Sequence, residues 1–282
     1  LVLPALLSSC VSVPLPELHP HPVTSSRVIS LNMRMVSVPD ENPVERAAAL
    51  ADYIREHDPD LVLLQEVTAV REFEVIMPCP VAAKLMPSLP EYGWIRPTGV
   101  SRLSGSNPIL YRLSRYQPMR QGVVWMSDHP DVPDSRSWGN NIPRYATWAV
   151  FYDNNGGEHL FVLNVHLDHL SQNTNVRAVD VLLETVEAEA RSLPVVLGAA
   201  FNAPPFPATS TPLNDTLPSV LDPAAGPTHL TFPVLQIDGI HHSRDLVSLQ
   251  SWIDPTPVNG PIGSDHAAVW AELARTTEPF SQ

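Results

Sequence analysis

The stretch PVVLGAAFNAPP, residues 194–205, decides how the rest of the chain is read. Residues 195–197 are an apolar run and read as a buried strand. The run ends in small residues, then Phe201, Asn202 and the doublet Pro204-Pro205, which forces the chain out of the sheet. A polar amide at the end of a buried strand is how the rim of a binding cleft is often built. Ala200, two residues before Asn202, offers only a methyl group to any chemistry there.

The same pattern recurs along the chain. Asn32 follows RVISL (27–31), and Glu66 follows LVLLQ (61–65). Asn164, His166 and Asp168 lie in FVLNVHLDH (161–169), Asp238 lies in VLQIDGI (234–240), and Asp265-His266 precedes AAVWAEL (267–273). Carboxylate and amide oxygens with few sulfurs suit Mg²⁺ or Mn²⁺ better than a structural zinc. The two histidines are far apart in sequence, which fits acid/base or phosphate contact better than a closed metal cage. Each group also has a plainer reading. Glu66 could cap a following helix, His166 could be a satisfied core histidine, Asp238 could close a turn with Gly239, and Asn32 could bond only to backbone. Trp138, Trp148 and Met35 read as packing residues. The signal is the joint recurrence at successive strand ends.

Between these strands, residues 42–58 read as a helix, with Val44, Ala47, Ala48, Ala51 and Ile54 at helical spacing and Asp58-Pro59 as its stop. A second helix follows residue 169, with Val176, Val179, Leu183, Val186 and Ala190 on one face. Residues 107–112, 121–126 and 145–151 read as strands, and the region after Pro205 reads as a long Pro-rich loop. Helical and hairpin connections in turn imply mixed sheets. The number of apolar strands implies two stacked sheets with helices outside, an α/β four-layer sandwich.

Composition narrows the function. Among 282 residues the net charge is −13 and Lys84 is the single lysine. An acidic surface repels polyanions and argues against tight nonspecific binding of long nucleic acid, while leaving room for a small phosphate ester met by a few arginines and metal ions. Residues 1–26 read as a signal or lipoprotein remnant and a Pro-rich tether. LVLPALLSSC resembles the end of a secretory signal, and LSSC a lipobox with Cys10 as the lipidated residue. Export is therefore expected, to a periplasmic, envelope-attached or extracellular place, and a lipid anchor is the one membrane contact expected. Cys79 is the only other cysteine, so no disulfide is expected within the folded body. Asn214-Asp215-Thr216 is a glycosylation sequon, and a monomer is expected.

Taken together, RVISLNMR, DLVLLQEV, SNPILYR, LNVHLDH, LGAAFNAPP, QIDGI and GSDHAAVWAEL stand in the order of the endonuclease/exonuclease/phosphatase superfamily, the DNase I-like fold. The chain resembles that family over residues 27–275, leaving 276–282 as a tail. The stretch 125–151 resembles an uncharacterised bacterial branch of it.

The resemblance implies a metal-dependent phosphoesterase. Glu66 would be the principal Mg²⁺ (or Mn²⁺) ligand, with Asn32 and Asp265 near it. His266 would contact the scissile phosphate and be oriented by Asp238. Asn202 would position the nucleophilic water or the phosphate, and His166 would bond to phosphoryl oxygens. Arg34, Arg112, Arg144 and Asp168 would belong to substrate binding. The chain departs from the family's G-D-F-N at Ala199-Ala200-Phe201-Asn202: Ala200 stands where relatives carry the Asp that orients or deprotonates the water. An engineered Asp-to-Ala change fits this better than natural erosion, because the other catalytic positions are filled. Gly105 is a second, milder departure, where the bacterial branch often has Glu. A small or lipid-linked phosphoester is the expected substrate. An extracellular nuclease acting on DNA or RNA, and a non-catalytic phosphate-binding pseudoenzyme, are the alternatives.

Overall fold

The computed structural model describes residues 24–35, 42–67, 70–72, 75–77, 80–96, 107–169, 172–202, 207–230 and 235–276. Cys10, Cys79 and Gly105 lie outside these residues. In chain order the elements are β1 (Ser26–Asn32), α1 (Pro43–His57), β2 (Leu61–Gln65), β3 (Val70–Glu72), β4 (Val75–Met77), α2 (Pro80–Ser88), β5 (Tyr92–Ile95) and β6 (Ile109–Arg112). Then come β7 (Tyr116–Trp125), β8 (Tyr145–Asp153), β9 (Glu158–His166), α3 (Gln172–Thr185, continued by a π-turn at Val186–Ala190) and β10 (Val195–Ala200). The chain closes with α4 (Pro207–Thr216), β11 (Asp238–His242), β12 (Leu246–Asp254), α5 (Thr256–Asn259) and β13 (Ala268–Arg275).

Six strands form one sheet in the order β12-β13-β1-β2-β6-β5, and five form a second in the order β11-β10-β9-β8-β7. Both sheets are mixed: β1 runs parallel to β2 and β9 parallel to β10, and their other neighbours are antiparallel. The alternation of side chains along each strand builds three cores. Ile29, Leu31, Val62, Leu64 and Trp270 face α1 and α2, where Leu50, Ile54, Val81 and Leu85 meet them. Val28, Leu61, Leu63, Val162, Val196 and Ile240 fill the seam between the sheets. Phe161, Leu163, Val165, Leu197 and Ala199 face Ala178, Leu182 and Leu213 of α3 and α4. This is the four-layer α/β sandwich expected from the sequence.

The seam is narrow where the site begins. A Cβ on Gly198 would lie 2.9 Å from the Leu63 Cβ of the facing sheet, so only glycine allows this approach. Above it, Gln65 Nε2 donates to Asn164 Oδ1 at 2.7 Å and to Ser30 Oγ at 3.1 Å. Asn164 Nδ2 donates to the carbonyls of Leu64 and Pro108 at 2.7 and 2.8 Å. These buried amides join the two sheets below the cleft.

Several elements differ from expectation. The helix face of α1 is rotated: Val44 and Ala48 are exposed, and Arg46, Leu50 and Tyr53 join Ala47, Ala51 and Ile54 inside. α3 buries Ala178, Val179 and Leu182, one step round from the face read in the sequence. β5, β12, α2 and α4 had no counterpart in the sequence reading, and α4 lies in what read as loop.

Candidate active site

Strand register gathers the candidate residues. Ala200 pairs with His166 of β9 on one side and with Asp238 of β11 on the other. Paired positions share a face, so the three side chains form one row on the inter-sheet side, about 4.8 Å from strand to strand. Asn32, Glu66 and Asp265-His266 lie at the same end of the sandwich, at the last residue of β1, after β2 and before β13. Arg34, Glu66 and Asn202 have φ of 56°, 59° and 54°. Left-handed backbone is uncommon outside glycine, and three cases at neighbouring strand ends mark the rim of one cleft.

His266 and Asp238 form a buried pair, with His266 Nδ1 2.8 Å from Asp238 Oδ2. Their backbones are fixed as well. Thr228 Oγ1 accepts from the amides of Ile237 and Asp238, at 2.9 and 3.0 Å. Ser264 Oγ accepts from the His266 amide at 3.0 Å and donates to the Asn32 carbonyl at 2.6 Å. Burial alone would depress His266, but the Asp238 carboxylate, joined by Asp265 and Glu66, outweighs it and raises the imidazole above its ordinary value. With Nδ1 committed to Asp238, Nε2 faces the cleft, 3.8 Å from Asp265 Oδ1. His229 Nε2 lies 3.9 Å from Asp265 Oδ2, and its ring meets His266 edge-on at 4.6 Å. The sequence reading missed His229; it sits in THL (228–230), with no periodic pattern to flag it, and reaches the cleft through an isolated bridge to His266.

Asn202 and His166 form the opposite wall. Asn202 Nδ2 donates to His166 Nε2 at 2.6 Å and to the Leu167 carbonyl at 3.0 Å. Burial, aided by the Arg144 charge, holds His166 well below the ordinary histidine range, so it is neutral. A neutral imidazole has one lone pair, and the shorter contact, to Asn202, takes it. Arg144 is buried, with Nη1 3.4 Å from His166 Nδ1, Nη2 3.1 Å from His169 Nδ1, and Nε 3.8 Å from Asp168 Oδ2. Its Nε makes no hydrogen bond among the described residues. Burial lowers the Arg144 pKa despite Asp168 and Glu66, which means the guanidinium is under-compensated for its burial. His169, quoted in the sequence but given no role, is its second imidazole neighbour.

Glu66 and Asp265 fit a hard cation. Glu66 Oε1 accepts from Asn32 Nδ2 at 3.0 Å, Oε2 accepts from the Met35 amide at 2.7 Å, and the carboxylate lies 3.7 Å from His166 Nε2. Asp265 keeps 38% of its side chain exposed to the cleft. Both carboxylates act on His266 and His229, so they share one field. Two half-open carboxylates with an amide beside them are oxygen donors of the kind Mg²⁺ and Mn²⁺ take. His229, Asp265 and His266 also bring one ligand atom each within 4.8 Å of one another. Arg34 closes this side, with its amide donating to Asn32 Oδ1 at 3.0 Å and Nε to the Gly263 carbonyl at 2.8 Å. Buried Arg46 pins both loops by donating to the Met33, Arg34 and Ile262 carbonyls.

One candidate is not in the cleft. Arg112 ends β6, which runs antiparallel to β2, so it lies at the start of β2, at the far end of the sandwich from Glu66. There it donates to Asp58 Oδ1 at 2.5 Å, the Pro59 carbonyl at 2.9 Å and Tyr92 Oη at 2.7 Å, and stacks over the Tyr92 ring. It ties strands together and has no place in substrate binding. Asp168 is buried, with Oδ2 3.8 Å from Arg144 Nε. The element after Glu66 is a strand, so there is no helix for it to cap, and Asp238 opens a strand instead of a turn. Met35 is 52% exposed and is no packing residue, whereas Trp138 and Trp148 pack against the outer core.

Residues 29–266 match the Endonuclease/Exonuclease/phosphatase family. No curated protein sequence matches the chain. Among solved structures, the chain is similar to an endonuclease/exonuclease/phosphatase from Bacteroides vulgatus, with TM-score 0.77 and 22% identity over 90% of this chain and 100% of that one. It is similar to a mannosyl-6-phosphatase from Bacteroides thetaiotaomicron, with TM-score 0.71 and 21% identity over 88% and 99%. The human Nocturnin catalytic domain, solved with a sulfate anion, superposes with TM-score 0.68 and 17% identity over 90% and 95%.

Proposed function

Because the chain belongs to the Endonuclease/Exonuclease/phosphatase family, we propose that it carries the machinery of a Mg²⁺- or Mn²⁺-dependent phosphoester hydrolase with its water-activating carboxylate missing at Ala200. The observation that supports this is the row His166–Ala200–Asp238. Its two outer members are held by partners on the cleft side, and the middle position, with the same orientation, is a methyl.

The phosphoryl group would lie between the His266–Asp238 pair and the Asn202–Arg144 wall. Protonated His266 donates from Nε2 to oxygens that gain charge as water attacks in line. Asp238 keeps that proton in place and the ring oriented. Arg144 and Arg34 supply further donors, and the under-compensated Arg144 gains most from an anion. A metal ion held by Glu66, Asn32 and Asp265 would supply Lewis-acid charge neutralisation on the phosphoryl oxygens. What the chain lacks is a proton acceptor beside the water, a loss of ~10²–10⁴ in rate.

The net charge of −13 favours a small or lipid-linked phosphoester over a long polyanion. One of the similar structures is a mannosyl-6-phosphatase. Export, with Cys10 as an anchor, is part of the same proposal. The test is a screen of Ala200→Asp against nucleic acids, sugar phosphates, inositol phosphates and small phosphodiesters, each with Mg²⁺ and Mn²⁺. Turnover on small esters, abolished by chelator, supports the reading. Turnover confined to DNA or RNA, falling steeply with salt, favours the nuclease reading. An inert Ala200→Asp that still binds metal and phosphate favours a non-catalytic binder.

A further inference from the structure

Beside the cleft, on the other face of the same strand ends, lies a cavity of about 290 Å³. Alternation explains its position: Asn202 and Asp238 serve the cleft, while their chain neighbours Phe201 and Gly239 face the cavity. Its floor is buried and mostly apolar, with Leu167, Leu213 and Leu221 beside Gly239. Its exposed rim is Asn214 and Pro223. The size suits one ring system.

Two features make it a built site. The first is Gly239, an interior strand residue with no side chain: an added Cβ would sit 3.3 Å from His241 Nε2 and 3.4 Å from Phe201 Cε2. The space in front of these atoms exists because position 239 is glycine. The second is His241, which is 95% buried by its 5% exposure. Its Nδ1 lies 2.9 Å from the Leu217 carbonyl, which can only accept, so Nδ1 carries the proton and Nε2 the lone pair. Nε2 makes no hydrogen bond among the described residues and points to the space before Gly239. Burial pushes the imidazole down to about 4, so it stays a neutral acceptor at ordinary pH. No Lys or Arg lines the cavity among the described residues, and Asp238 borders it, so it offers nothing to a phosphate or carboxylate.

We propose that this cavity is a subsite for the uncharged alcohol portion of the substrate, a flat, mainly apolar ring bearing an N–H or O–H that donates to His241 Nε2. The identity of the occupant rests on the phosphoester reading; the ring-binding chemistry does not.

The two parts are tested separately. For binding, the wild-type chain is titrated with 2-naphthol, 2-methoxynaphthalene and naphthalene-2-sulfonate, following naphthyl fluorescence. Saturable binding of 2-naphthol is expected. The methoxy probe should bind about five-fold weaker, the usual net worth of one hydrogen bond, and the sulfonate should not bind. His241→Phe should erase the difference between the first two probes. Ser219→Trp, on the partly exposed wall, should abolish binding while the chain stays folded by circular dichroism. Failure of 2-naphthol to saturate, equal affinity for naphthol and its methyl ether in the wild type, or unaltered binding in Ser219→Trp would each overturn the subsite. For the occupant, naphthyl and ethyl phosphoesters are compared on Ala200→Asp with and without Ser219→Trp. Loss of a naphthyl preference in the filled variant supports the proposal; a preference that survives the filling overturns it. Ring binding with no ester hydrolysed would sink the phosphoester reading and the substrate assignment while leaving the ring site standing.

Discussion

Glu66 turns through left-handed backbone directly after β2, and Arg34 and Asn202 do so two residues past the ends of β1 and β10. Arg34 came from the family resemblance alone, whereas Glu66 and Asn202 were legible in the sequence because each follows an apolar run with a polar group. His229 and His169 were not, because neither ends a periodic stretch. Arg112 was misread because a strand's two ends look alike in sequence; only the antiparallel pairing with β2 sends it away from Glu66. On the proposed function Glu66 is the anionic oxygen donor on which metal binding would most depend, so Glu66→Gln should weaken Mn²⁺ binding by calorimetry; equal affinity would contradict its assignment. The Asp238–His266 pair makes a second prediction. In the intact chain His266 should titrate above the ordinary value of 6.5. In Asp238→Asn the largest of the raising charges is gone, while those of Asp265 and Glu66 remain, so the midpoint should fall. Because the folded pKa is raised, the pair's contribution to stability is full below the unfolded pKa and is lost as pH rises through the folded one. Imidazole resonances followed by NMR check both shifts; an unmoved midpoint would separate Asp238 from His266.

At the scale of elements, β1, α1, β2, β9, β10 and β13 were legible because their apolar periods are clean and their ends carry Asp-Pro or polar stops. α2 and α4 were not, since each holds an internal proline, Pro87 and Pro212, that reads as a break. β12 hid because a register shift between Ser248 and Gln250 breaks its alternation. The approach of β10 to β2 gives an element-scale test. Gly198→Val forces atoms into Leu63 across the seam and should cost about 1–3 kcal/mol in urea unfolding. Wild-type stability would mean that the sheets are further apart than described.

At the scale of the whole molecule, the two ends of the sandwich do different work. At the far end Arg115, 2% exposed, donates to Asp60 at 2.9 Å and to Asp153 at 2.7 Å, joining the two sheets. Arg115→Met leaves Asp60 buried without that partner and should cost about 3–5 kcal/mol of stability. Mn²⁺ affinity at the other end should not change, and a parallel loss of metal binding would show that the ends are not independent. The cleft end keeps its polar groups in place around one methyl at Ala200. The most direct measurement is turnover of Ala200→Asp against Ala200→Asn, on whichever phosphoester the screen identifies, with Mn²⁺ affinity measured alongside. Asp should raise turnover by about two or more orders of magnitude over the chain as it stands, in line with general-base contributions of ~10²–10⁴. Asn, similar in size but a poor proton acceptor, should recover far less. Equal rates for the two variants, or an inert Ala200→Asp that binds Mn²⁺ as tightly as Ala200 does, would contradict the claim that one carboxylate is all the site lacks.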